Sequence, residues 1–279
     1  MTDPDAWMSI QPIDEIVEHY RRTREADRLS SGPGELERIR TQEIITRYLV
    51  SPPAQILDVG GGPGVYAHWL LRQGYQVDLI DPVDSHVEEA SRTFREEGLF
   101  GTARHGDARR LNAEPASYDL VLLLGPLYHL PERRDRIQAL LEMKRVLRPG
   151  GLAFLAAISR FASLLDGFAR GFVRDPDFLR ILTHDLTDGQ HRNLANTDYF
   201  TTSFFHRPEE LVAEIHEAGL ELQLLAGVEG PFWCINGFVE LWHNPSTRSL
   251  LLDFARQIES EPSLLGASAH WLAVVRKPA

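Results

Sequence analysis

Cysteine is almost missing from this chain: Cys234 stands alone among 279 residues. A single thiol excludes an intramolecular disulfide framework and a zinc site built on clustered cysteines, and the usage fits a reducing cytoplasm. Basic residues are in deficit, with 29 lysines and arginines against 40 aspartates and glutamates, a formal net charge of −11. The basic footprint of a nucleic-acid binder is therefore absent. No uninterrupted apolar run approaches the length of a membrane span. The first residues, among them Thr2, Asp3 and Asp5, are polar and acidic, unlike a signal peptide. No G-x-x-x-x-G-K-[ST] loop, internal repeat or low-complexity tract occurs. These absences lead us to expect a cytoplasmic protein without a nucleic-acid or membrane partner. The oligomeric state is not legible. The chain is 43% apolar, enough for a substantial core in one large domain or one domain with a cap.

The most informative stretch is Ile56-Leu57-Asp58-Val59-Gly60-Gly61-Gly62-Pro63-Gly64-Val65-Tyr66. A short apolar run after Pro52-Pro53 reads as a buried strand, and Val65, Trp69 and Leu70 recur near helical spacing. Between them, glycines allow a tight turn and close backbone approach to a ligand. Strand, glycine turn and helix together make a nucleotide-binding corner. Downstream, strand and helix patterns alternate, the signature of a parallel α/β sheet. A second strand, Gln76–Ile80, runs into Asp81-Pro82. Asp81 lies 23 residues past Asp58, where a βαβ unit places an acid beside a ribose; the other reading is a helix N-cap or a turn Asp before Pro82. A third strand, Thr102–His105, precedes Gly106-Asp107-Ala108, and a fourth, Tyr118–Leu124, is apolar enough to be buried on both faces. Gly125-Pro126-Leu127-Tyr128-His129 follows it, at the strand end where open α/β sheets bind ligands. A helix over Arg133–Leu147, the turn Arg148-Pro149-Gly150-Gly151, a strand over Leu152–Ile158, a strand over Leu220–Val228, helices over Trp233–His243 and Thr247–Glu259, and a closing strand over Trp271–Arg276 complete the pattern.

Asp58-x-Gly60-x-Gly62-x-Gly64 resembles motif I of the class I S-adenosylmethionine (SAM) dependent methyltransferases, and Asp81, Gly106-Asp107-Ala108 and the Arg148–Gly151 turn follow in that family's order. The resemblance is strong over residues 50–160 and looser over 205–276. It implies a Rossmann-like α/β fold, a mostly parallel seven-stranded sheet with an antiparallel edge. It implies SAM as cofactor, S-adenosyl-L-homocysteine as product and no requirement for a metal. It assigns cofactor contacts to Asp58, Gly60, Gly62, Gly64, Asp81, Pro82, Asp107, Ala108, Leu124 and Gly125, with Asp81 on the ribose hydroxyls and Asp107 on the adenine amine; a solvated turn remains the other reading of Asp107.

Four segments result: an N-terminal helical lid over 1–50, a SAM-binding core over 51–158, a lid or substrate insertion over 159–205, and the rest of the core sheet over 206–279. In the first, Tyr20 and Arg24 are one turn apart and could reach the cofactor carboxylate, or simply pack. The third breaks the α/β rhythm with residues such as Phe172, Phe178, Tyr199, Phe200 and Phe205, as a functional lid or a small helical subdomain. The N/D-P-P-Y signature of amino-group nucleic-acid methyltransferases is absent after the fourth strand. A small-molecule acceptor is expected, with O, N or C open as the methylated atom. A peptide methyltransferase and a SAM-binding protein without methyl transfer are the alternatives. His129 is the candidate general base, with a pKa expected near working pH, and Tyr128 orients the substrate; His206 is the next candidate.

Overall fold

A computed structural model describes residues 14–22, 28–193 and 199–279. Arg24 lies outside these residues. The strands among the described residues are β1 (Gln55–Val59), β2 (Gln76–Asp81), β3 (Thr102–His105), β4 (Tyr118–Leu123), β5 (Leu147–Ser159), β6 (Gln190–His191), β7 (Ser203–His206), β8 (Glu221–Gly227) and β9 (His270–Arg276). The first five run parallel in the order β3-β2-β1-β4-β5. β9 pairs antiparallel with β5, and β8 antiparallel with β9. These seven form the expected sheet with its antiparallel edge; the short β6–β7 hairpin is an addition supplied by the insertion.

Successive side chains of a strand point to opposite faces. Ile56, Leu120, Leu122 and Phe154 pack with Ile44, Ile45 and Leu70 on one side. Leu57, Val121, Leu123 and Leu155 pack with Leu140, Met143 and Leu211 on the other. Helices Gly32–Thr46, Val65–Leu71 and Asp84–Glu96 cover the first face, and Arg133–Val146 and Pro208–Glu217 the second. Strand order reverses between β1 and β4, so the loops after these two strands diverge and leave a crevice at their carboxyl ends.

Two expectations are corrected. The helix read over Trp233–His243 is a 3₁₀ turn, Gly230–Cys234, and a separate helix, Phe238–His243. Gly237, in the left-handed region at φ 72°, makes the break and starts the second piece. His206 is no base facing a substrate. It is fully buried in β7, its Nε2 3.3 Å from Glu214, and burial depresses its pKa.

The segment 159–205 contains helices Ala162–Arg170 and Pro176–Asp188 and the β6–β7 hairpin, so it has internal structure of its own. β7 returns beside β5, with Ile158 opposite Phe205 and Ser159 opposite His206. A buried ionic cluster fastens it. Arg136 grips Glu214 through Nε at 3.0 Å and Nη2 at 2.7 Å, and its guanidinium lies 3.6 Å from the centre of the Phe204 ring. Both members of the pair are 2% exposed. Truncating one partner of such a pair leaves the other charge stranded, at a cost of about 3–5 kcal/mol. Glu214→Ala should lower the urea midpoint accordingly, and Glu214→Gln, which keeps an acceptor for the guanidinium, should lose less; equal loss in both variants would argue against an ionic origin.

Candidate active site

The glycine turn after β1 requires glycine on conformational grounds. Gly60, Gly62 and Gly64 have φ of 68°, 55° and 90°. A Cβ on Gly60 would also stand 2.8 Å from the Pro126 ring. The turn is tied to the end of β2: Gly60 N–H donates to the Ile80 carbonyl at 2.7 Å, and Gly62 N–H donates to Asp81 Oδ2 at 2.8 Å. Asp81 Oδ1 accepts from Val83 N–H at 2.9 Å and faces His86 Nδ1 at 3.3 Å. Asp81 is thus a turn aspartate before the helix, whose N-cap is Val83 with no side-chain cap, and the carboxylate still borders the cavity with lone-pair capacity left.

That cavity occupies the crevice at the strand ends. Asp58, Pro82, Asp107, Ala108, Leu124 and Gly125, separate in sequence, all line it. Asp58 is buried, its Oδ2 without a hydrogen-bond partner. Desolvation, reinforced by the neighbouring Asp81, pushes its carboxyl up to about 7. Asp107 is gripped by a residue the sequence reading missed: Arg109 Nε and Nη2 reach its two oxygens at 3.0 and 2.7 Å, while Nη1 holds Asp135 at 3.0 Å. One acceptor site on Asp107 Oδ2 remains.

Tyr128 and His129 occupy a 3₁₀ turn, Pro126–His129, beyond β4. His129 Nε2 lies 2.7 Å from the Tyr20 hydroxyl, on helix Asp14–Arg22. The titration expected of His129 is overturned. Desolvation, with help from His19, pushes its pKa down to about 3, and although the Thr202 backbone pulls slightly the other way, Nδ1 meets no partner at hydrogen-bonding geometry. His129 is neutral at neutral pH and a weak base. Tyr20 meets His129 and borders the cavity.

A second cavity adjoins the first. Phe172, Phe178, Tyr199, Phe200 and Phe205 of the insertion wall it, together with Trp233. Tyr20, Arg28, Glu37, Tyr128 and His270 line both cavities and so mark the junction. Sequence reading missed three of these. Arg28 precedes the helix carrying Glu37, and His270 opens β9; no local motif connects them. Arg28 donates to Glu37 at 2.5 and 3.1 Å, and His270 Nδ1 lies 2.6 Å from Glu229. Ligand atoms of Glu37, Glu229 and His270 lie within 4.8 Å of one another, but these bonds already engage them.

The first cavity fits SAM. Gly60 and Gly62 line it with left-handed backbone, while Gly64 turns away from it against Ala90 and Phe94; Asp81, and the orphaned Asp58 oxygen once that carboxyl ionises, offer negative charge to a cofactor cationic at sulfur and amine. The raised pKa of Asp58 has a definite sign. An unfolded Asp ionises near 3.9, so this carboxyl progressively destabilises the ligand-free fold as pH rises from there to about 7, and the penalty is constant above. Thermal melts should show Asp58→Asn gaining stability relative to wild type over that window, with a plateau beyond; a difference independent of pH would rule out the shift.

The description "Methyltransferase domain" is that of the family model matching residues 56–151. A ubiquinone biosynthesis O-methyltransferase of Xanthomonas axonopodis pv. citri (strain 306) is 30% identical over 190 residues, 67% of this chain and 70% of that protein. Among solved structures, a SAM-dependent methyltransferase of Methanosarcina mazei superposes with TM-score 0.58 at 18% identity, covering 84% of this chain and 97% of its own. The [4+2]-cyclase SpnF superposes with TM-score 0.56 at 18% identity, covering 87% and 81%, so the same fold carries other chemistry. Sequence likeness across two thirds of a methyltransferase, on a sheet of this order with a glycine cradle at its switch point, makes the chain a member of the class I SAM-dependent methyltransferases.

Proposed function

We propose that this methyltransferase methylates a hydroxyl oxygen of a small aromatic molecule. The observation that carries the reading is the aromatic second cavity, which shares the polar residues Arg28, Glu37 and His270 with the cofactor cavity as common lining. Aromatic walls favour a flat apolar acceptor, and the few polar groups at the junction orient its reactive end. The O-methyltransferase name of the 30%-identical relative supports the same choice of atom.

Bound SAM supplies a methyl group already activated by its sulfonium. In our reading Gly60 and Gly62 give the backbone cradle, and Asp81, with Pro82 beside it, receives the ribose hydroxyls. Asp107 and Ala108 face the adenine, and Asp58, Leu124, Gly125 and Tyr20 close the amino-acid end. The chain's remaining work is to align the acceptor oxygen and exclude water. Tyr128 stands at the junction against His129, with ring centres 4.7 Å apart, and positions the acceptor, while His129 acts as a neutral wall. The described parts of segment 1–50 and the insertion 159–205 both border the cavities and serve as the lid.

Two outcomes test this. A panel of phenols, amines and thiols of similar shape, incubated with methyl-labelled SAM, should yield labelled methoxy products; label on amines alone would refute the choice of oxygen. Asp81→Ala removes charged hydrogen bonds worth about 1.5–3 kcal/mol and should weaken SAM in calorimetric titration by roughly 10- to 100-fold; unchanged affinity would remove Asp81 from the cofactor contacts.

A further inference from the structure

Methylating a hydroxyl requires somewhere for its proton to go, and the group that takes it must sit where the cofactor and acceptor cavities meet. His129 lines only the cofactor cavity. Of the histidines, only His270 lines both.

We propose that His270 is the catalytic base of this enzyme, held in place by the buried carboxylate of Glu229. The inference rests on the O-methyl transfer reading above. Glu229 is 2% exposed, and both its oxygens are occupied. Oε1 takes the His270 Nδ1 at 2.6 Å, Oε2 takes the His270 backbone N–H at 3.0 Å, and Ser268 Oγ lies 2.9 Å from Oε2. Ser268 is in turn held by the backbone N–H groups of Glu229 and Gly230, each at 3.1 Å. One carboxylate thus fixes both the backbone and the ring of the same residue. With Nδ1 committed, the proton-accepting atom is Nε2, on a side chain that is 22% exposed and borders the two cavities. A carboxylate behind an imidazole sets the tautomer and stabilises the imidazolium that forms when a proton arrives.

The charges around the ring are Glu229 after β8, Glu37 from helix Gly32–Thr46 with its Oε2 3.7 Å from Nδ1, and Arg28 bonded to Glu37; Tyr20 and Tyr128 complete the junction. Burial would push the imidazole down, but Glu37 and then Glu229 overcome it and hold the pKa up at about 9, Arg28 opposing them. In the step itself, which needs the neutral imidazole and so runs as pH rises toward that value, the acceptor O–H bond breaks and its proton goes to the unprotonated Nε2. The oxygen uses the freed pair to form the O–CH₃ bond, the S–C bond breaks with its pair left on sulfur, and the proton later leaves His270 for solvent.

The test compares two acceptors: phenol, which must lose a proton, and 4-nitrophenol, which is largely ionised at mildly alkaline pH. Loss of a general base costs roughly 100- to 10,000-fold in rate. His270→Gln should lose that factor with phenol and be largely rescued with 4-nitrophenol. Glu229→Gln, which removes a raising charge, should move the ascending limb of the kcat/KM profile to lower pH. In cofactor-free enzyme, NMR titration of the His270 ring should give a pKa above the ordinary histidine range that falls in Glu229→Gln, a readout independent of turnover. A His270→Gln loss within tenfold, or equal loss with both acceptors, overturns the assignment while leaving O-methylation standing. If wild type methylates no phenol in the panel, the reading of the acceptor fails and His270 as base fails with it. Activity abolished by EDTA and restored by a divalent cation would assign Glu37, Glu229 and His270 to a metal instead.

Discussion

The hydrogen bond from Gly62 N–H to the Asp81 carboxylate ties the turn after β1 to the end of β2. Neither side would hold its shape alone. The turn has three residues in the left-handed region, which glycine enters at an entropic cost in the unfolded chain. The carboxylate sits 4% exposed and would be expensive to bury without donors. The turn supplies one donor and Val83 supplies another. The cofactor cavity is the space this tie leaves open, and Pro126, closing against Gly60, limits it from the β4 side.

Charge is distributed along the crevice with a gradient of solvation. Asp58 is deepest and lacks a partner on one oxygen, Asp81 is satisfied by backbone donors, and Asp107 is neutralised by Arg109. At the junction, carboxylates meet their counter-charges inside the protein: Glu37 with Arg28, Glu229 with His270. An aromatic compartment lies beyond. On the side of the glycine turn, a cation would meet Asp58 and Asp81, neither of which has an arginine or lysine partner among the described residues.

What could be read from the sequence was local. Motif I, Asp81 and Gly106-Asp107-Ala108 are short segments whose chemistry depends on neighbours in the chain, and the structure brings them to one cavity. The alternation of strand and helix gave the sheet because each element carries its own periodicity. Arg109 was missed although it is two residues from Asp107, since a charged residue in a turn reads as solvated. Glu37, Glu229 and His270 were beyond reach, because only the antiparallel return of β9 beside β5 and β8 brings them together. His129 was placed correctly after β4, but burial inverted its chemistry, and burial at a loop is not written in local pattern.

The way the insertion joins the sheet has a consequence for how such an enzyme can diversify. The chain leaves β5 at Ser159 and returns as β7 beside that same point. Ile158 faces Phe205, Arg160 N–H donates to the His206 carbonyl at 2.7 Å, and Arg160 Nε donates to the Phe205 carbonyl at the same distance. The base of the excursion is closed by hydrogen bonds whatever lies between. Lengthening a closed loop adds little entropy cost, growing only with the logarithm of its length. The intervening helices and aromatic residues form an exchangeable cassette: the wall of the second cavity can change there without disturbing the glycine turn or the strand order.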